Sequence, residues 1–580
     1  MSSHAHVTRL LAAILPGLWF LIDPLSATTR TRPAVDAFAG RFVAMVSPVA
    51  GETFSAPATL RLIAAAHDPN VFINSPRDGL GGNAAKVQFF VDEALVLEVD
   101  GSRADYFVFK GFVNGIAAGR RRAWARAIYT NPPEVLDSAP MVIDVAAPPP
   151  YGKIVNLQHD LTVPGAGLEL VGTPESRIRV NGNGHRIVSA LDGSGPVVVR
   201  YVDFFDLGDR IATSVPGLDL TTRAGLIIEN CIFDSSNPLR LVLEGTAPGR
   251  VRGNTWRSNM RQPLGQNPDG RGNGSFPVVV FRGASSGPKV VQGNNVGAGW
   301  LLFESTRGWL VGGDDAASDG NVLIGPRTGI FVDRSHDIQL RRNYSHHIYF
   351  GGWSQGSNFE LGGGSSVTAE HNVIIGGSWP VRGVGGEFGY NLVLDGGHQW
   401  LWADHNGASV HHNVFVGGAN DVGGIYVPYR VANVRIAHNT IDLGAGSRGT
   451  AVRIAAGDVS LTSNVFLNAS APAVRIEGGT LAADYNLFWR MPPTVYSDGR
   501  MPAHDSNGDP RMPGSSGAGF AFDPSLLWMR RSSSQDVLEH YRSLYRPGPG
   551  SAAIGRGDPS GGSGTTIGAI SGTAGRDDRF

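Results

Sequence analysis

Short runs of β-branched and aromatic residues alternate with polar and glycine-rich stretches along most of the chain. From about residue 154 onward, such a run accompanies each of a series of asparagines. These asparagines, each followed by its local sequence, are Asn230 (ENCIF), Asn254 (GNTW), Asn295 (NNVG), Asn321 (GNVLI), Asn343 (RNYS), Asn372 (HNVII), Asn391 (YNLVL), Asn413 (HNVFV), Asn439 (HNTID), Asn464 (SNVFL) and Asn486 (YNLFW). From Asn295 onward the spacings are 26, 22, 29, 19, 22, 26, 25 and 22 residues. A period of about 20 to 25 residues built from short strands predicts a solenoid, in which each turn adds one parallel strand to each face.

The repeated asparagines are interpreted as structural. An asparagine at the same corner of successive turns can hydrogen-bond the side-chain amide and the backbone of its neighbour, about 4.8 Å away. The residues directly before them include His371, Tyr390, His412 and His438. We interpret these rings as a structural stack at the same corner.

The repeat resembles the right-handed parallel β-helix of the pectin-lyase-like superfamily. The motif that supports the resemblance is GIFVDRSHDIQLRRN, repeated as NFELGGGSSVTAEHN and GIYVPYRVANVRIAHN. The tail adds GPGSAAIGRGDP and IGAI, which look like the segment that closes such helices. The resemblance implies a β-helix over 154–490 and a closing segment over 491–580. It does not imply one reaction, because the superfamily contains polysaccharide lyases, glycoside hydrolases, epimerases and non-catalytic adhesins.

Residues 41–145 have a different pattern, in which short alternating stretches are broken by proline and glycine. This pattern predicts a small β-sandwich. It resembles the bacterial immunoglobulin-like modules attached to secreted carbohydrate-active enzymes, through VSPVAGETFSAPATLRLIAAAHD, AAKVQFFVDEALV and SAPMVIDV. The proline-rich stretch 146–153 predicts a stiff linker. The expected fold is therefore all-β, with a small immunoglobulin-like β-sandwich followed by a right-handed parallel β-helix.

The N-terminus predicts export from the cell. Arg9 precedes an apolar run from Leu10 to Ile22, and small residues follow up to Ala27. This is the layout of a signal peptide over 1–27, and the run is short for a membrane span. A buried or tethering N-terminal helix is the alternative. We therefore expect a secreted protein, extracellular or periplasmic, whose mature chain is monomeric and does not insert into a membrane.

The formal net charge of the chain is −1. This balance gives no reason to expect a nucleic-acid partner or an acidic membrane surface. Cys231 is the single cysteine, so no intramolecular disulfide can form. The stability of the fold must come from packing and hydrogen bonds.

Alternation within the repeats predicts two columns of outward side chains. The first contains Phe331, Glu360, Arg382, an uncertain member near 399–402, Tyr426, Arg453 and Arg475. The second, four residues before each asparagine, contains Gln339, Thr368, Glu387, Ser409, Arg435 and Ser460. Acidic, basic and aromatic side chains in one column fit a sugar-binding face, and a solvated face with ordinary surface ion pairs is the alternative.

The irregular part of the repeat indicates where a ligand binds, because insertions in a solenoid form loops on its binding side. The interval from Asn343 to Asn372 is the longest after Asn295, and histidines and tryptophans concentrate nearby. The candidate substrate-binding residues are Asp333, His346, Trp353, Trp400, Trp402, Tyr426 and Arg453. A strict register points Trp400 and Trp402 into a narrow interior. Two indoles fit such an interior badly, so at least one is expected to face a ligand, and a widened aromatic core is the alternative.

The candidate catalytic residues are Glu360, Arg382, Glu387, His398, Asp404 and His405. We expect the cleft along 343–430, centred on Glu387 and His398. Glu387 is the one acid of the second column and follows the glycine-rich GVGG, where backbone can approach a ligand closely.

These residues are compatible with two reactions. A lyase must neutralise a uronate carboxylate and abstract a proton, for which Arg382 and a histidine, His398 or His405, are suitable. A hydrolase needs two carboxylates that flank the bond, and Asp395 and Asp404 join the two glutamates as candidates. Histidine and arginine beside the acids give a slight preference for a secreted polysaccharide lyase. A glycoside hydrolase and a non-catalytic carbohydrate-binding or adhesin protein remain alternatives.

No metal site is assigned from the sequence. The acid-rich stretch GGDDAASDGN at 312–321 could hold Ca²⁺, which prefers oxygen ligands. A plain turn is the alternative, and no other cofactor is implied.

Overall fold

The computed structural model describes residues 41–67, 84–104, 108–190, 194–209, 215–234, 236–257, 277–314, 320–347, 357–362, 365–377, 379–396, 399–417, 424–428, 431–516, 523–561 and 566–570. The chain is all-β, with 5% helix. Its main body is a right-handed parallel β-solenoid of about 11 turns, and small antiparallel sheets precede it. The predicted fold class is therefore confirmed.

The solenoid has three faces, which we number in the order in which each turn visits them. The strands of the first face, which follow the asparagine corner, are Tyr151–Asn156, Arg177–Asn181, Val202–Phe205, Ile232–Asp234, Thr255–Arg257, Asn295–Thr306, Val322–Asp333, Tyr344–His347, Val373–Ile375, Leu392–Leu394, Val414–Val416, Thr440–Ser447, Val465–Ala469, Leu487–Trp489 and Ser506–Asn507. Two of them, Asn295–Thr306 and Val322–Asp333, continue onto the second face.

The other strands of the second face are Leu161–Val163, Ile187–Ser189, Leu218–Thr222, Leu239–Leu243, Pro277–Gly283, Phe359–Gly362, Val381–Arg382, Leu401–Trp402, Ile425–Val427, Val452–Ile454 and Val474–Ile476. The strands of the third face are Leu168–Val171, Val197–Arg200, Leu226–Glu229, Gly249–Arg252, Lys289–Gln292, Trp309–Gly312, Ile338–Arg341, Val367–Glu370, Glu387–Gly389, Ser409–His411, Val434–Ala437, Asp458–Thr462 and Thr480–Asp484. Inward side chains of all three faces form one continuous hydrophobic core.

A column of buried asparagines runs along the corner between the third and first faces. Each side-chain amide donates to the Oδ1 atom of the next asparagine at 2.8–3.1 Å, through Asn254, Asn294, Asn321, Asn343, Asn372, Asn391, Asn413, Asn439, Asn464 and Asn486. The structural interpretation of these asparagines is confirmed. Two assignments are corrected: Asn294 rather than Asn295 belongs to the column, and Cys231 rather than Asn230 is hydrogen-bonded to Asn254 at its start.

The chain before the solenoid forms two sheets. The three-stranded sheet contains Phe42–Ser47, Ala58–His67 and Val108–Ile116, and the six-stranded sheet contains Thr53–Ser55, Met141–Ala146, Gly119–Thr130, Lys86–Val91, Ala94–Asp100 and Pro133–Asp137. All pairings are antiparallel except that of Thr53–Ser55 with Met141–Ala146. Side chains such as Leu62, Phe89 and Phe109 join both sheets in one buried core. We call this part the N-terminal sheets.

The C-terminal segment that follows the last strand, described at 508–516, 523–561 and 566–570, packs along the outside of the first face. It contains the α-helices Pro524–Trp528 and Ser534–Leu544 and the short 3₁₀ helices Pro513–Ser516 and Pro559–Gly561. A further 3₁₀ helix, Gly101–Arg103, lies between two strands of the N-terminal sheets. The apolar side chains of the C-terminal segment, among them Leu538 and Tyr541, are buried against outward residues of the first face such as Tyr344 and Leu392. The Tyr545 hydroxyl donates to Oδ2 of the buried Asp442 at 2.8 Å. The first face is therefore covered along much of its length.

Aromatic rings stack at the asparagine corner under this segment. His371, Tyr390, His412 and His438 stack in order, with ring centroids 5.2, 4.8 and 4.9 Å apart. Burial lowers the pKa of His371 and of His412 to about 3, and it also lowers the pKa of His438. The stack therefore consists of neutral rings at neutral pH, in agreement with a structural role.

We expect the folded state to lose stability as the pH falls below about 6.5, the ordinary pKa of histidine. The folded pKa values of His371, His412 and His438 lie below that value, so the unfolded chain binds more protons over this window. Each histidine then costs up to about 1.4 kcal/mol per pH unit of acidification. Thermal unfolding followed by circular dichroism between pH 7.5 and 5 measures the effect.

The matched variant is His412→Tyr. Tyr390 and Tyr485 occupy the same backbone position in other turns, with the same positive φ near 58°, so a tyrosine there keeps the stack while removing one titrating group. The pH dependence of the melting temperature should become shallower in this variant. An unchanged slope would exclude the stack as its source.

Candidate functional site

The register of the second face agrees with the predicted first column. Phe331 pairs with Glu360, and Glu360 pairs with Arg382. Val381 pairs with Leu401, which aligns Arg382 with Trp402, and the column continues through Tyr426, Arg453 and Arg475. Inward neighbours such as Phe359 and Val381 are fully buried. The predicted column is confirmed, and its uncertain member is Trp402.

Three of the longest connections of the solenoid join the first face to the second. They are 206–217, 258–276 and 348–358, whereas the third face joins the first through pairs such as 342–343 and 371–372. Insertions in a solenoid concentrate on the side that binds a ligand. Because the C-terminal segment covers the first face, the second face is the better candidate.

Glu360 is the central acid of this face. Its side chain is 33% exposed, and its Oε1 lies 3.9 Å from a guanidinium nitrogen of Arg382. Partial burial raises the pKa of Glu360, Arg382 offsets part of this effect, and the negative charges of Asp404 and Asp333 raise the pKa further. The net shift is upward, which favours a carboxyl that holds a proton.

Asp404 follows the strand Leu401–Trp402, which pairs with the strand of Arg382, and its charge acts on Glu360. Its Oδ1 lies 2.8 Å from Nδ1 of His405. This hydrogen bond raises the pKa of His405, and burial partly opposes it. Two carboxyl groups of this face, Glu360 and Asp404, therefore have different partners: a guanidinium at longer range and an imidazole in direct contact.

Aromatic side chains surround Arg382 and continue the column. The guanidinium carbon lies 5.2 Å from the ring centre of Trp379 and 4.9 Å from that of Trp402. Trp402 contacts Tyr426 edge-to-face at 5.5 Å, and the Arg453 guanidinium lies 5.0 Å over the Tyr426 ring. Trp379 was not among the predicted site residues, because it precedes its strand and has no place in the alternation.

Glu387 is separated from this group, because it lies on the third face. The second predicted column is confirmed in register, with Glu387 between Thr368 and Ser409. The Glu387 carboxylate lies 2.8 Å from Nε2 of His411. Its side chain is 48% exposed. The structure thus does not bring Glu387 together with Glu360 and Arg382, which lie on the second face.

Two predicted substrate-binding residues are corrected. Trp400 is fully buried and stacks on Phe415 in the hydrophobic core, with centroids 5.8 Å apart. His346 is 8% exposed on the first face, beside Tyr344, which packs under the C-terminal segment. Neither ring can contact a ligand on the second face without a rearrangement of the core.

The structure describes one of the three remaining predicted residues. Asp333 lies on the second face, where it accepts a hydrogen bond from Arg334 at 2.9 Å. His398 and Trp353 lie outside the described residues, so their predicted roles stay predictions. The stretch 312–321 considered for Ca²⁺ lies partly outside them as well.

Within the described ranges, no group of three or more histidine, cysteine or acidic residues is arranged to hold a metal ion. None of the helices described is long and apolar enough to span a bilayer.

No family model and no curated protein matches the chain. Two solved structures similar to it are fibronectin(III)-like modules of Clostridium thermocellum CbhA and a Family 28 exopolygalacturonase of Yersinia enterocolitica. The first is 21% identical, covers 18% of this chain and 98% of its own, and has a TM-score of 0.14. The second is 11% identical, covers 81% of this chain and 98% of its own, and has a TM-score of 0.23.

Proposed function

We propose that this protein hydrolyses glycosidic bonds of a polysaccharide on the second face of its solenoid. The observation that supports this most is the pair Glu360 and Asp404, two carboxyl groups on one face in unlike environments. Glycosidases commonly use two carboxyl groups, one as general acid and one as general base or nucleophile.

In the proposed reaction, protonated Glu360 donates its proton to the oxygen of the leaving sugar while the bond from that oxygen to the anomeric carbon breaks. Asp404 accepts a proton from a water molecule, whose oxygen bonds to the anomeric carbon. His405 hydrogen-bonds Asp404 and so fixes the position of this carboxyl group. Arg382 lies beside Glu360, and Tyr426 with Arg453 extends the sugar-binding surface.

Elimination, the reaction preferred from sequence, has less support on this face. It needs a neutral base, and the Asp404 hydrogen bond raises the pKa of His405, which works against a neutral imidazole. It also needs a cation free to neutralise a uronate, whereas Arg382 lies next to Glu360. We further propose that the protein is exported, as the predicted signal peptide implies.

Incubation of the purified protein with a panel of neutral and acidic polysaccharides tests the proposal. Hydrolysis releases reducing ends without the ultraviolet absorbance of an unsaturated uronate, and this is the expected result. Reducing ends together with that absorbance would indicate elimination. Retention of a polysaccharide without either product would indicate a binding protein.

A further inference from the structure

The Arg382 guanidinium is held by two indoles. Trp379 and Trp402 approach it from 5.2 and 4.9 Å, and their own rings meet edge-to-face at 6.1 Å. Trp402 is fixed in turn by a hydrogen bond from its Nε1 to Oε1 of Gln399. A guanidinium over an indole face is stabilised by about 0.5–2 kcal/mol, so two such contacts fix where the charge lies.

Arg382 keeps a longer distance from its acid than other arginines of the same face. Its nearest approach to Glu360 is 3.9 Å. Arg282 reaches Glu304 at 2.7 Å through Nε, and Arg453 reaches Glu477 at 2.9 Å. Direct charge-assisted hydrogen bonds measure about 2.7–2.9 Å, so the Arg382–Glu360 contact is an ion pair without one.

We infer that Trp379 and Trp402 are positioning residues, which hold Arg382 short of a direct hydrogen bond with Glu360 and so leave this carboxyl able to keep a proton. The use made of that proton rests on the proposed function. The placement of the guanidinium does not, because it follows from the contacts alone.

The charges around Glu360 make its pKa sensitive to the position of Arg382. Asp404, hydrogen-bonded to His405, and Asp333, hydrogen-bonded to Arg334, both favour the protonated form of Glu360. Among the groups that act on its pKa, Arg382 alone favours the carboxylate. A shift of the guanidinium into direct contact would therefore lower the pKa of Glu360.

The two indoles have little surface left for a sugar. Trp379 is 4% exposed and Trp402 is 8% exposed. A ring that stacks on a sugar must present its face to solvent, whereas the ring of Trp402 lies between Arg382 and Tyr426. Positioning, rather than direct substrate contact, is the role that fits this burial.

The test compares Trp379→Leu and Trp402→Leu with the unaltered protein. Carbodiimide labelling of Glu360, followed by peptide mass spectrometry across a pH series, reports the fraction of protonated carboxyl without any substrate. Without an indole, Arg382 closes on Glu360, and the labelling midpoint should fall by at least about one pH unit. On a confirmed polysaccharide, the alkaline limb of kcat/KM should shift to lower pH by the same amount.

Trp402→Phe is the conservative control, since a phenyl ring still offers a π face to the guanidinium; its midpoint should stay closer to that of the unaltered protein. Folded Leu variants with an unchanged midpoint would overturn the inference, even if their activity fell. If Trp402→Leu fails to fold, Trp379→Leu decides. A shifted midpoint in a protein that cleaves no polysaccharide would support the inference and contradict the proposed function.

Discussion

Glu360→Gln should lower turnover of a confirmed polysaccharide substrate at least about a hundredfold, the usual scale for a general acid. The amide has nearly the shape of the carboxyl but cannot give a proton to the leaving oxygen. Glu360 lies on the surface of the second face rather than in the core, so the melting temperature should change little. Initial rates and thermal unfolding of the same preparation measure both quantities.

Glu387→Gln, compared under the same conditions, discriminates between the two faces. Glu387 lies on the third face with His411, and its loss should affect turnover far less than the loss of Glu360. The opposite order of effects would place the reaction on the third face, where the sequence first suggested its centre. Asp404→Asn should resemble Glu360→Gln, because it removes the proposed base.

The columns of the solenoid could be predicted because local rules determine them. Residues two apart in a strand share a side, and successive turns stack in register, so the spacing of the asparagines was enough to align Glu360 with Arg382. The same rules misassigned Asn295, where two asparagines are adjacent. Sequence alone does not tell which of the two turns inward.

Burial by distant parts of the chain could not be predicted. His346 has a surface position by alternation, yet the C-terminal segment, far along the sequence, packs over its face. Trp379 lies in a turn between two faces and acquires its role only when Arg382 and Trp402 meet it. Each of these outcomes depends on long-range contacts that have no period in the sequence.

The N-terminal sheets contact the solenoid through a buried ion network. This network likewise could not be predicted from the local sequence pattern. Asp234, on the first face, is paired with Arg61 of the three-stranded sheet and, at 2.9 Å, with Arg257. Arg257 also reaches Glu52 at 2.8 Å. All four side chains are at most 12% exposed. Burial alone would raise the pKa of Asp234, but the two arginines outweigh it and hold the pKa well below its ordinary value.

Asp234→Asn is therefore expected to destabilise the protein by about 3–5 kcal/mol, the cost of leaving buried charges without their partner. Arg61 and Arg257 would then face each other with Glu52 as the one remaining acid of the network. Asp137→Asn is the matched control, because its pair with Arg126 is close, at 2.7 Å, but 48% and 36% exposed, and exposed pairs contribute at most about 1 kcal/mol. Denaturant unfolding of both variants gives the two free energies. Equal losses would mean that the N-terminal sheets are not anchored to the solenoid through Asp234, whereas a loss confined to Asp234→Asn would make this network a main connection between them.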